Sequence, residues 1–143
     1  MIFKRSILFS TLILGLVKKS PLASQNTQKM SNSYVSGTHS AAYVTAPNEE
    51  VAKKIAHGLV SHKLAACVNI IPKITSVYEW EGKIEEDSEV LMMIKTRSTK
   101  IPELTEFVKS NHPYTVCEVI SIPIEGGNQQ YLNWIGDVVP NKN

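Results

Sequence analysis

Apolar and polar positions alternate in two related blocks after residue 39. Ser40–Ala46 (SAAYVTA) is a short apolar run closed by Pro47-Asn48, which predicts a first strand. Asn48 is a helix cap, with Glu49 and Glu50 in the first turn, where the helix dipole favours acids. Val51, Ile55, Leu59 and Val60 then share one helical stripe, ending near His62. Ala65–Trp80 is rich in β-branched and aromatic residues and predicts a second strand. Pro72 restricts that strand to an edge or a bulge. Glu81-Gly82-Lys83 is a hairpin turn. A third strand follows, polar over Glu85–Ser88 and apolar over Glu89–Thr96. Ser98 or Thr99 is expected to cap a second helix, with Pro102 in its first turn and Ile101, Leu104, Phe107 and Val108 as its stripe. His112-Pro113 stops it. Thr115–Pro123 predicts a fourth strand, and Tyr131–Val138 a short amphipathic helix after Gly126-Gly127.

The order is therefore β-α-β twice, the split arrangement of an α+β, ferredoxin-like βαββαβ domain with a long strand 2–3 hairpin and a short C-terminal helix. Residues 40–143 are assigned to it, and 1–39 to a hydrophobic leader and linker. In this topology strands 2 and 4 take opposite sheet edges, so Cys67 and Cys117 are expected to be too far apart for an intrachain disulfide. A long hairpin with an open edge is an aggregation hazard unless covered. Covering it with further copies gives a closed oligomer.

The leader is a different kind of sequence. Lys4-Arg5 precedes the apolar run Ser6 to Val17, and Lys18-Lys19 follows it. Twelve residues fall short of the roughly 20 needed to span a bilayer, and fit the apolar part of a secretory signal. The absence of acids and the serines are equally compatible with a mitochondrial presequence. An uncleaved anchor, or a cytosolic product begun at Met30, are further readings. Leu22 to Thr38 is polar and small, and reads as a linker.

Charge sharpens the division. Residues 1–48 carry five bases and no acid; residues 49–143 carry the other ten bases and all thirteen acids. The domain is thus mildly acidic, which argues against nucleic-acid binding. An RNA-recognition module would add aromatics in a Lys/Arg-Gly-Phe context and a basic sheet. An acylphosphatase-type enzyme on this fold would need an arginine in a glycine-rich anion loop, but the loop after strand 1 is Ala46-Pro47-Asn48. No catalytic constellation is visible.

Several segments carry a resemblance: Thr45-Ala46-Pro47, Lys63 to Pro72 (KLAACVNIIP), Tyr78 to Ile84 (YEWEGKI), Lys95-Thr96, His112-Pro113-Tyr114, Glu118, and Tyr131-Leu132 with Trp134. Together they resemble the CutA family of divalent-cation-tolerance proteins, and the leader resembles its animal branch. The resemblance implies a homotrimer whose long hairpins pair across subunits, similar to PII-type signalling proteins. It implies a link to divalent metal tolerance, with copper as a candidate ligand. For the animal branch it implies a link to the processing or membrane anchoring of acetylcholinesterase. It implies no established reaction.

In bacterial members the copper ligands are a cysteine late in strand 1 and two histidines before Pro-Tyr. The matching positions are Val44, Asn111 and His112, so only His112 keeps a ligating side chain. The structural alternative for His112 is a hydrogen-bonded helix terminator. Cys67 is expected to be buried and inert in its Ala-Ala-Cys-Val strand. Tyr78, Trp80, Lys95, Tyr114, Glu118 and Trp134, with Cys67, are candidates for an intersubunit ligand cleft. Buried charge needs a partner, and a Lys95–Glu118 pair, within the chain or across a trimer interface, is the economical expectation. The acidic run Glu85-Glu86-Asp87, with Glu89, could attract cations, but reads first as a solvated hairpin face; it has neither the spacing nor the interior glycine of a calcium loop.

Overall fold

The computed structural model describes residues 34–141; the leader run and its flanking lysines lie outside them. Four strands, β1 His39–Ala46, β2 Cys67–Trp80, β3 Lys83–Arg97 and β4 Ile120–Pro123, form one antiparallel sheet in the order β2-β3-β1-β4. Three helices accompany it: α1 Glu49–Ser61, α2 Ile101–Asn111 and α3 Gln129–Val138. The expected βαββαβ order is present, with β2 and β4 on opposite edges.

Strand periodicity builds the core. Alternate residues Ala42, Val44 and Ala46 of β1 and Val90, Met92 and Ile94 of β3 point to one face. They meet Ala52, Ile55 and Leu59 of α1 and Leu104 and Val108 of α2 in a single cluster. A second, smaller cluster holds Leu132, Ile135 and Val139 around α3. Asn48 caps α1 as expected, its Oδ1 accepting from the Val51 N–H at 3.0 Å.

The hairpin follows the sequence closely. Trp80 pairs with Lys83, and both turn residues between them have positive φ, 49° at Glu81 and 76° at Gly82, as a type I′ turn requires. One extra β2 residue intervenes where Ile71 faces Leu91 and Ile74 faces Glu89. This bulge contains Pro72, which has no ladder donor, and Lys73 at φ 61°.

Three expectations are corrected. Folded structure begins before residue 40: the Tyr34 hydroxyl donates to the Ile124 carbonyl at 3.0 Å and accepts from the His39 N–H at 3.1 Å, while Gly37 N donates to Ile124 O. Neither Ser98 nor Thr99 caps α2. Ser98 enters a 3-10 turn, Ser98–Lys100, and its hydroxyl is taken by the Gly37 carbonyl at 2.6 Å and by Ser40 Oγ at 2.7 Å. The third strand carries its polar half as expected, because cross-strand pairing continues to Lys83. The fourth strand is only Ile120–Pro123, since the His112 ring occupies the Thr45 carbonyl on the β1 edge beyond Tyr43.

Candidate functional site

A cleft of about 680 Å³ opens where the free half of the hairpin faces the chain leaving α2. Tyr78 and Trp80 come from β2, Asp87 and Glu89 from β3, and Tyr114 and Glu118 from the segment after His112. Among the described residues no lysine, arginine or histidine lines it. The cross-strand register sets its inner wall: Ser76 faces Asp87, and Tyr78 faces Glu85, on one side of the pleat. The Tyr78 hydroxyl donates to Asp87 Oδ2 at 2.5 Å, and Ser76 Oγ donates to Glu89 Oε2 at 2.6 Å.

Two phenols report the sign of the potential. Tyr78 is pushed up to about 12, mainly by its hydrogen bond to the Asp87 carboxylate. Tyr114 is raised first by burial, then by the charges of Glu89 and Asp87. The cleft is therefore electronegative, and positive charge is the complementary ligand property.

The expected site residues divide among several places. Tyr78, Trp80, Tyr114 and Glu118 share the cleft. Cys67, Lys95 and Trp134 do not line it. Cys67 is half-buried, a correction to the expected full burial, because β2 is an edge strand. Its thiol lies against Tyr131, whose hydroxyl is pushed up to about 12 by burial first and then by Cys67. The Tyr131 ring lies 5.3 Å from that of Trp134. Cys67 and Cys117 are both free thiols within the chain. Lys95, 8% exposed, donates to Asn69 Oδ1 and to the Met93 carbonyl, whereas Glu118 is exposed; the expected Lys95–Glu118 pair is absent within the chain.

His112 is 9% exposed and both ring nitrogens are engaged. Nε2 lies 2.9 Å from the Thr45 carbonyl, and the Tyr114 N–H donates to Nδ1 at 3.1 Å. The neutral Nε2–H tautomer satisfies both bonds and leaves no lone pair for a metal. Val44 is fully buried in the core, and the Asn111 amide donates to the Phe107 carbonyl. Among the described residues no three His, Cys, Asp or Glu side chains converge as metal ligands.

The fold and the ordered motifs can now be set against known proteins. A family profile described as CutA1 divalent ion tolerance protein matches residues 40–138. The chain belongs to that family. It is 71% identical over 110 residues to the Protein CutA homolog of Xenopus laevis, covering 77% of this chain and 73% of that one. It is 57% identical over 134 residues to Protein CutA of Mus musculus, covering 94% and 75%. The crystal structure of CutA1 from Oryza sativa superposes with a TM-score of 0.72 at 50% identity, covering 76% of this chain and 97% of that one.

Asp87 and Glu89 read from sequence as a solvated face that could attract cations, not as part of a cleft. Counting pairs back from the Gly82 turn places Asp87 opposite Ser76, on the side shared with Tyr78, so a signal existed in the register. The approach of the 113–118 segment, which turns that face into a wall, has no local sequence signature.

Proposed function

We propose that this CutA1-family chain acts as a non-catalytic homotrimer in divalent-cation tolerance, with the electronegative cleft as its cation-attracting site. One observation carries the reading: Asp87, Glu89 and Glu118 line a cleft to which the described residues contribute no basic side chain, and the cleft raises both of its tyrosines. Its carboxylates and phenols suit hard divalent cations. A neighbouring subunit would supply the ligands that one chain lacks.

Trimerisation is supported by what one chain leaves uncovered. The outer edge of β2 is unpaired, and Val77, Trp80 and Ile84 around the hairpin tip are 64%, 56% and 72% exposed. Val116, Ile120 and Ile122 on the other side are 76%, 53% and 55% exposed. Such edges and patches call for a partner, and a second copy of the same sheet is the simplest one. Lys95 and Glu118 then become candidates for pairing between subunits.

Copper belongs to the proposal in a restricted form. A copper ion on His112 must displace one of two hydrogen bonds, so binding there is weaker than micromolar. A link to acetylcholinesterase processing rests on the family resemblance and is tested by co-purification from cells making both proteins. The cleft is also large for a bare ion. Its volume and three aromatic rings favour, as a second reading, a PII-like role with a cationic small molecule as ligand.

Calorimetric titration with Mn²⁺, Zn²⁺ and Cu²⁺, comparing the natural chain with Glu118→Gln and Asp87→Asn, tests the site. Each substitution is expected to weaken binding about threefold to tenfold, the range for one partly desolvated charge. Unchanged heats would remove the cleft from the account.

A further inference from the structure

A second cavity, about 430 Å³, lies at the opposite end of β1, roughly 20 Å along the strand from Thr45. It is bounded by Tyr34, by His39 and Arg97 at the ends of β1 and β3, and by Gln129, Asn133 and Asp137 of α3. Its chemistry is the reverse of the acidic cleft.

His39 is 4% exposed, and neither ring nitrogen has a hydrogen-bond partner. Its ring stacks on Tyr34 at 5.6 Å, so it is held and cannot swing to solvent without breaking that contact. Buried polar atoms are normally satisfied, and an orphaned pair calls for an occupant. Arg97 stands beside it. Its Nε donates to the Val139 carbonyl and its Nη2 to Gly136 O at 2.7 Å, which uses two of five N–H groups.

Gly136 fixes where the two side chains converge. A Cβ built on it would lie 3.0 Å from Arg97 Nη2 and 3.5 Å from His39 Nε2. A methyl group at residue 136 would crowd both nitrogens. Arg97 Nη2 and His39 Nε2 are therefore close enough to share one small ligand, and they line a cavity larger than a single water needs. A fixed guanidinium excludes a metal cation there. Asp137 is the one carboxylate at the rim, and it is exposed and solvated.

We propose that His39 and Arg97 form a binding site for a small oxyanion, one oxygen of which lies between their side chains and packs against the bare Cα of Gly136. Gln129 and Asn133, hydrogen-bonded to each other at 2.8 Å, offer further amide donors along the same face of α3. Burial, and then Arg97, hold His39 below its ordinary value, which favours the neutral ring. An anion beside it reverses that balance and favours the imidazolium. Binding is therefore coupled to proton uptake. The charged and titratable groups facing His39 are Arg97 from β3, Asp137 from α3 and Tyr34 from the entering segment.

The test uses the full chain with isotope-labelled histidine, titrated with sodium sulfate and separately with sodium acetate at constant ionic strength held by chloride. Sulfate keeps its charge between pH 5 and 8, so any pH dependence reports the protein. The expected result is a saturable shift of the His39 ring nitrogens toward the imidazolium, with affinity rising by up to about tenfold per pH unit on acidification. Saturation by sulfate alone assigns the site to tetrahedral oxyanions, and by acetate to carboxylates; either supports it. Gly136→Ala, favourable for the helix, should weaken binding about tenfold or more by filling the cradle. Asp137→Asn, at an exposed position, should tighten it about two- to fivefold. Absence of saturable shifts with both anions, leaving only water in the cavity, overturns the proposal. So does undiminished binding in Gly136→Ala.

Discussion

His112→Ala separates a structural histidine from a metal ligand. The ring bridges the Thr45 carbonyl at 2.9 Å and the Tyr114 N–H at 3.1 Å, and meets the Tyr114 ring edge-on at 4.9 Å. Each hydrogen bond contributes about 1 kcal/mol, and a buried carbonyl left unpaired costs about 1–3 kcal/mol. The ring contact adds about 0.5 kcal/mol or more. Allowing for water reaching the Tyr114 side, the alanine variant should lose about 2–4 kcal/mol. His112→Asn should regain about 1 kcal/mol, because its side-chain oxygen can accept from the amide two residues on. Urea denaturation at one fixed chain concentration measures both, since stability of an oligomer depends on concentration. The metal-ligand account predicts another pattern: little change in metal-free stability and loss of the copper heat. A stable His112→Ala protein that no longer takes up copper would refute the reasoning.

Three further outcomes follow from other contacts. Deletion to Met30 should leave stability within about 0.5 kcal/mol while moving the protein from a membrane or secretory fraction to the cytosol; deletion through Thr38 should cost about 1–3 kcal/mol, because Tyr34 and Gly37 hold Ile124. Thermal denaturation and cell fractionation read both. Gly58→Ala should not give the usual helix gain of about 1 kcal/mol, because the new Cβ would lie 2.5 Å from the Phe107 ring; denaturation of Gly58→Ala with and without Phe107→Ala should show coupling of about 1–2 kcal/mol. Finally, His39 has a folded-state value lowered from 6.5. The unfolded chain therefore binds the proton first, and stability is present above pH 6.5 and lost as pH falls below it. His39→Gln should flatten that part of a stability–pH profile measured in chloride, and an unchanged slope would show that His39 does not titrate on unfolding.

Much of this molecule is legible in its sequence, and the limits have physical causes. Asn48 and the apolar stripe of α1, the Glu81-Gly82 turn and the Pro72 bulge are local signals, because caps, φ preferences and missing donors act within a few residues. The placement of β2, which carries Cys67, and β4 on opposite edges follows from topology alone, although Cys117 lies ahead of β4. Ser98 misleads because its hydroxyl serves a contact with Gly37, far away in sequence. Tyr34 reads as linker because a single aromatic after a polar stretch has no period. Lys95 found Asn69 across the hairpin, a register effect, and not the acid two strands away. Four cleft residues, Tyr78, Trp80, Tyr114 and Glu118, were identified through resemblance. Asp87 and Glu89 join them through pairing geometry that composition does not encode.

Native mass spectrometry of the chain, purified without a metal-affinity tag and exchanged into manganese, tests the central claim most directly. The account predicts a trimer carrying divalent cations that leave when Asp87 and Glu118 are neutralised, with the trimer itself retained. A monomer, or a trimer whose metal content is indifferent to those two substitutions, would contradict it.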